Sequence, residues 1–97
     1  MKIINTAVIG SGFMGAAHIE ALRRIGGVNI KAIVSDDLPA AKSIAEKYSI
    51  PDVYSDYKKV LEDKEIEAIH NCTPNYLHFE INKAAAEAGK HIISEKP

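Results

Sequence analysis

Apolar residues fall along this chain in two rhythms, short near-continuous runs and longer stretches in which they recur every three or four positions. The first rhythm predicts buried strands and the second predicts helices with one apolar face. Ile3 to Ile9 is the first run and predicts a strand. A helical pattern follows from Ser11 or Gly12 to about Ile25, with Gly15, Ile19 and Leu22 on one face and Glu20, Arg23 and Arg24 turned away. Gly26-Gly27 ends it. Ile30 to Val34 predicts a second strand, apolar enough to be buried on both faces of a parallel sheet. Ser35-Asp36-Asp37 closes that strand and offers a cap to a helix from about Pro39 to Tyr48, with Ala41, Ile44, Ala45 and Tyr48 inward.

Pro51 breaks the chain, and Val53-Tyr54 is a minimal strand. Ser55 or Asp56 caps a short helix ending near Leu61 or Glu62, and the charged stretch Glu62 to Glu67 reads as a solvated connection. Ala68 to Cys72 predicts a fourth strand. Thr73-Pro74-Asn75 makes a turn that opens a helix running to Ala88, since proline is tolerated at the first helical position. Leu77, Ile81, Ala84, Ala85 and Ala88 lie at helical spacing, and Gly89 sits where a left-handed terminal residue is wanted. His91 to Ser94 is a fifth strand, followed by Glu95-Lys96-Pro97.

Strands alternating with helices imply an α/β fold, a doubly wound parallel sheet with right-handed crossovers. With a glycine-rich turn after the first strand, the expected order is 3-2-1-4-5, the chain stopping just after its fifth strand. Ligands of such sheets sit outside the carboxyl ends of the strands, at the switch point between strands one and four. Four loops therefore matter: Gly10–Gly15, Ser35–Asp37, Thr73–Asn75 and Glu95–Pro97.

Ninety-seven residues suffice for a single domain, 1–97, with one core. A net charge of −1 leaves no electrostatic footprint for nucleic acid, and no Lys/Arg run suggests an anionic membrane surface. The single cysteine, Cys72, excludes an internal disulfide framework, and as a strand residue it reads as an inert small hydrophobe. No segment is long enough to span a membrane and no signal peptide is evident, so a cytoplasmic protein is expected.

The first strand ends in Gly10-Ser11-Gly12-Phe13-Met14-Gly15, the spacing G-x-G-x-x-G between a strand and a helix. That context favours a dinucleotide site over an ordinary turn. Gly10 turns the chain off the strand, Gly12 lets a phosphate approach the amides at the helix start, and Gly15 lets the helix pack close to the sheet. Asp36 lies twenty-one residues past Gly15, at the end of the second strand. It either accepts from ribose hydroxyls, favouring NAD over NADP, or serves only as a helix cap, a role open to Asp37 as well. Lys96 is either a cation at the nicotinamide end of the cleft or a solvated terminal lysine. Thr73 and Asn75 either contact the nicotinamide ribose or cap the next helix, and His78 either reaches the cleft or stays on the surface. His18, His70, His78 and His91 share no helical i, i+4 pair, so no metal site is expected.

Four segments together resemble the N-terminal domain of the Gfo/Idh/MocA oxidoreductases: A-V-I-G-S-G-F-M-G-A-A-H at 7–18, A-E-K-Y at 45–48, C-T-P-N-Y-L-H at 72–78 and G-K-H-I-I-S-E-K-P at 89–97. The resemblance covers the whole chain, and E-K-P after a strand is its most specific element. It implies a nicotinamide-dependent oxidoreductase acting on sugars, polyols or related hydroxy compounds. Carried over by position, Gly10, Gly12, Phe13, Met14 and Gly15 surround the pyrophosphate, and Thr73, Pro74, Asn75 and His78 line the nicotinamide side. Glu95 and Lys96 lie under the nicotinamide, Lys96 in the catalytic or substrate-orienting role. The family's ribose-binding acid aligns with Ser35. Asp36 falls one place later, where NADP-using members often carry Arg, and an acid there argues against a 2′-phosphate.

The resemblance also implies a second, substrate-binding domain after E-K-P that carries the acid/base residues and makes the full-length protein a homo-oligomer. These 97 residues are then expected to hold the cofactor site but not to turn over substrate. Fold alone leaves two other readings, a non-catalytic dinucleotide-sensing module and a ligand-free scaffold.

Overall fold

A parallel sheet needs a crossover between neighbouring strands, and this chain supplies one at each step. The protein is described here from a computed structural model, which covers residues 3–10, 19–22, 24, 27–73 and 75–94. The strands are β1 (Ile4–Ile9), β2 (Val28–Val34), β3 (Asp52–Tyr54), β4 (Ala68–Asn71) and β5 (His91–Ser94). The helices with defined bounds are α1 (Leu38–Tyr48), α2 (Tyr57–Glu62) and α3 (Asn75–Glu87), and residues 19–22 are also helical. All pairings are parallel and the sheet order is β3-β2-β1-β4-β5, as the sequence predicts.

α1 and α2 form where a cap and an apolar stripe coincide. The Asp37 carboxylate accepts from the Ala40 amide (3.2 Å) at the start of α1, with Pro39 in the first turn. Asp56 does the same for α2 through the Lys58 amide (2.9 Å). These caps satisfy amides that have no partner inside the helix. At the other end of α3, Gly89 adopts φ +77°, the left-handed conformation that glycine takes without a Cβ penalty.

The sheet separates two apolar layers. On one face Ala7, Ile9, Ala32, Val34 and Ile69 pack with Val60 of α2 and with Ile81 and Ala85 of α3. On the other, Val8 and Ile33 pack with Ile19 and Leu22 and with Ala41 and Ala45 of α1. Helices therefore cover both faces, which is why the carboxyl halves of β1 and β2 are apolar on both sides. Tyr48 of α1 donates its hydroxyl to the Glu20 carboxylate (2.5 Å), clasping the two helical segments on that face.

β2 departs from the sequence reading in two ways. It starts at Val28 rather than Ile30, and its register with β1 shifts: Thr6 pairs with Ile30 but Ala7 pairs with Ala32. Lys31 is thus the extra residue of a β-bulge. The bulge exchanges the faces, because Val28 and Ile30 lie on the α1 side with Ile33, whereas Ala32 and Val34 lie on the opposite side. Strict alternation would have kept 28, 30, 32 and 34 together.

The bulged lysine finds acids. Its Nζ donates to Asp63 (2.6 Å) and Glu65 (3.2 Å), both in the connection from α2 to β4. Lys90 reaches the same connection, donating to the backbone oxygens of Asp63 (2.7 Å) and Ile66 (2.6 Å). Ile66 is buried. The Glu62–Glu67 stretch is therefore not a solvated connection, as its charge suggested, but a segment held from both sides. Charge count alone could not show that its cationic partners lie on β2 and just before β5.

The hydrogen bond from Lys31 holds the Asp63 carboxyl below its ordinary value of 3.8, and Asp63 holds the Lys31 ammonium above 10.5. A depressed carboxylate adds stability above its unfolded value and loses it as pH falls through the folded one. A raised ammonium adds stability below its unfolded value and loses it as pH rises through the folded one. The pair therefore contributes most between these limits. Asp63→Asn should lower the urea midpoint at pH 7 and should flatten its fall on acidification through pH 4. An unchanged acid limb would show that the pair contributes nothing.

Candidate functional site at the carboxyl edge

At the carboxyl edge the sheet's hydrogen bonding continues one residue past each strand. The Ser35 amide donates to Tyr54 O (3.0 Å), the Gly10 amide to Val34 O (2.7 Å) and the Cys72 amide to Ile9 O (2.9 Å). These three bonds set where the loops after β2, β1 and β4 begin, before any ligand is considered.

Gly10 is the tightest point of this edge. It adopts φ +113°, and a Cβ there would stand 2.9 Å from the Cys72 carbonyl oxygen and 3.1 Å from its carbon. The obstacle is backbone and cannot rotate away. The residue must therefore be glycine for conformation and for space together. Cys72 itself lies just past β4 rather than within it, half-buried against the α1-side layer.

The loop after β2 assigns different work to three adjacent residues. Ser35 is buried, and its Oγ accepts from the Asp37 amide (3.0 Å), closing a small turn. Asp37 caps α1. Asp36, between them, is exposed, and among the described residues its carboxylate has no hydrogen-bond or ion-pair partner. Capping therefore falls to Asp37, and Asp36 is left facing solvent at the end of the second strand.

The loop after β4 contains a residue that sequence reasoning missed. Asn71, the last residue of β4, is fully buried. Its Nδ2 donates to Asn82 Oδ1 on α3 (2.9 Å), and its Oδ1 accepts both the Thr73 amide (3.2 Å) and the Thr73 hydroxyl (2.5 Å). A polar residue ending an apolar strand was the available signal, but nothing in the spacing showed that Asn82, eleven residues on, would face it. Thr73 is half-buried at this edge.

Asn75 and His78 begin α3, on the same edge. Gly12, Phe13, Met14, Gly15, Pro74, Glu95 and Lys96 lie outside the described residues. The described carboxyl-edge residues fit a dinucleotide: Gly10 turns the chain off β1 into the glycine-rich stretch, Asp36 is an open acid, and Thr73 is a hydroxyl held at the adjoining strand end. His70 is buried in β4 and His91 is exposed at the start of β5. Among the described residues no group of His, Cys, Asp and Glu could hold a metal ion. A cavity of about 540 Å³ lined by Leu61, Ile66, Lys90 and His91 lies at the amino edge, across the sheet from Gly10, Asp36 and Thr73.

Gly10→Ala should destabilise the fold by about 3 kcal/mol, combining a positive-φ penalty with overpacking against an immovable carbonyl. Urea unfolding measures this, and a loss below about 0.5 kcal/mol, the range of neutral surface changes, would show that the edge relaxes.

Comparison with known proteins agrees with this geometry. A family model described as an oxidoreductase family with an NAD-binding Rossmann fold matches residues 4–97. The uncharacterized oxidoreductase YrbE of Bacillus subtilis is 42% identical over 96 residues, covering 99% of this chain and 28% of that protein. Levoglucosan dehydrogenase of Pseudarthrobacter phenanthrenivorans is 36% identical, covering 100% and 27%. The crystal structure of scyllo-inositol dehydrogenase from Lactobacillus casei with bound cofactor NAD(H) and scyllo-inositol superposes with a TM-score of 0.93 at 25% identity, covering 99% and 28%. The chain thus spans little more than a quarter of the length of these relatives. With a matched family model over nearly its whole length, this chain belongs to the Gfo/Idh/MocA oxidoreductases, as their NAD-binding Rossmann domain.

Proposed function

We propose that the domain binds NAD across the mouth between β1 and β4 and that the protein it serves transfers hydride to or from a sugar, a polyol or a related hydroxy compound. The observation that carries this reading is Gly10, which turns the chain off β1 at φ +113° into the G-x-G-x-x-G stretch, at the sheet edge where folds of this order take a diphosphate. Gly12, Phe13, Met14 and Gly15 continue the diphosphate site. Asp36 accepts from the adenosine ribose hydroxyls and repels a 2′-phosphate, while the buried Ser35 shapes the turn that presents it. Thr73, Pro74, Asn75 and His78 line the nicotinamide side.

Bound NAD supplies the hydride acceptor, and the protein's share is binding and orientation. Glu95 and Lys96 lie beneath the nicotinamide on this reading. Lys96 is the residue proposed to touch substrate, holding its hydroxyl or carbonyl oxygen in register for transfer. The substrate class follows the relatives, which are named for levoglucosan and for scyllo-inositol. A lysine beside the nicotinamide also favours an enzyme over a cofactor sensor, which has no use for one.

Titration with NADH and NADPH tests the cofactor assignment. NADH should bind tighter, and Asp36→Arg should reverse the preference by roughly tenfold or more, one charge-assisted contact being worth about 1.5–3 kcal/mol. Tighter binding of NADPH by the unaltered chain would overturn it.

A further inference from the structure

Thr73 carries a hydroxyl that could act as donor or acceptor, and the surrounding bonds decide which. The Thr73 backbone N–H donates to the Asn71 side chain at 3.2 Å, so the atom it meets must be the carbonyl oxygen and not the amide nitrogen. This fixes the amide's orientation independently of the hydroxyl. The opposite end of the same amide then donates to Asn82 Oδ1 at 2.9 Å, which agrees. An amide oxygen can only accept. The Thr73 hydroxyl, 2.5 Å from it, must therefore give its proton to Asn71, and what remains on the Thr73 oxygen is lone pairs.

We propose that Asn71 is a positioning residue that makes Thr73 a fixed hydrogen-bond acceptor for an N–H or O–H donor on the nicotinamide-riboside half of the bound dinucleotide. The inference rests on the dinucleotide reading above. Asn71 touches no ligand. It is fully buried at the end of β4, tied on one side to α3 and on the other to the loop that forms the mouth. Its effect is to remove a choice: a threonine free to rotate would offer a donor as often as an acceptor, and would lose that freedom on binding. The donor it meets is either a ribose hydroxyl or the carboxamide N–H₂, which share this chemistry.

The test is a double-mutant cycle read by NADH, ADP-ribose and ADP binding to the 97-residue chain. Asn71→Leu and Thr73→Val should each weaken NADH by about tenfold, the worth of one hydrogen bond in a site of this kind. The double variant should be no weaker than Thr73→Val alone, and Thr73→Ser should bind as the unaltered chain does. ADP, which lacks the nicotinamide half, should bind all variants equally, whereas a general loosening of the fold would weaken ADP as well. ADP-ribose keeps the distal ribose but not the carboxamide, so a cycle that persists with ADP-ribose identifies a ribose hydroxyl and one that vanishes identifies the carboxamide. Should Asn71→Leu fail to fold, Asn82→Ala loosens the same amide from a less buried position and should weaken NADH by about threefold. Additive losses in the double variant, or NADH affinity unchanged by Asn71→Leu, would overturn this proposal alone. Failure of the unaltered chain to bind NADH would overturn the dinucleotide reading with it.

Discussion

The close approach of β1's last turn to the Cys72 carbonyl is the constraint on which this architecture depends. Two parallel strands, each followed by its own loop, must diverge at their carboxyl ends for a ligand to enter between them. Here one more hydrogen bond, from Cys72 to Ile9, holds them together past their last paired residues. Gly10 then turns away through a conformation that leaves no room for a side chain. Bend and neighbouring carbonyl are one feature: the contact that forbids a Cβ also fixes where the chain leaves β1 beside β4. A glycine in this place is demanded by the fold, and whatever binding it permits follows from that demand.

A second constraint acts on β2. Its amino half alternates apolar and polar residues while its carboxyl half is apolar throughout, and a single register could not serve both. The bulge at Lys31 resolves this by exchanging the faces midway, so that Val34 joins the α2–α3 layer and Ile33 the α1 layer. An inserted residue has to go somewhere, and a lysine goes where acids wait, on the connection before β4. Lys90 holds that connection from the other side. The amino half of the sheet is thus stitched by charges.

How much of this could be read in advance depended on distance along the chain. Strand order, the placement of α1, α2 and α3 and the caps at Asp37 and Asp56 are local consequences of periodicity and cap chemistry, and they appear as the pattern predicts. The division of labour in Ser35-Asp36-Asp37 was half legible: cap and candidate ligand were both visible, but only the coordinates separate them by showing which carboxylate meets the Ala40 amide. What could not be read involves partners far apart in sequence. The Lys31 bulge requires knowing which residue of β1 faces which of β2. The clamp on 63–66 draws on residues more than twenty positions away in each direction. Asn71 looked like a stray polar end to an apolar strand until α3 placed Asn82 against it.

The polarity of the described edge argues for the kind of ligand it suits. A dinucleotide presents acceptors at its diphosphate and donors at its ribose hydroxyls and carboxamide, so a matching edge needs backbone N–H groups in the middle and acceptors toward both ends. The bend at Gly10 stands in the middle of the sheet. To one side, at the end of β2, lies an exposed carboxylate that capping does not claim. To the other, at the end of β4, lies a hydroxyl whose proton is already committed to Asn71. Acceptor, glycine bend and acceptor follow one another across the β2, β1 and β4 ends in the order such a molecule would meet them. A site for a simple phosphate would need only the centre, and a site for an anionic sugar would not place an acid at its rim.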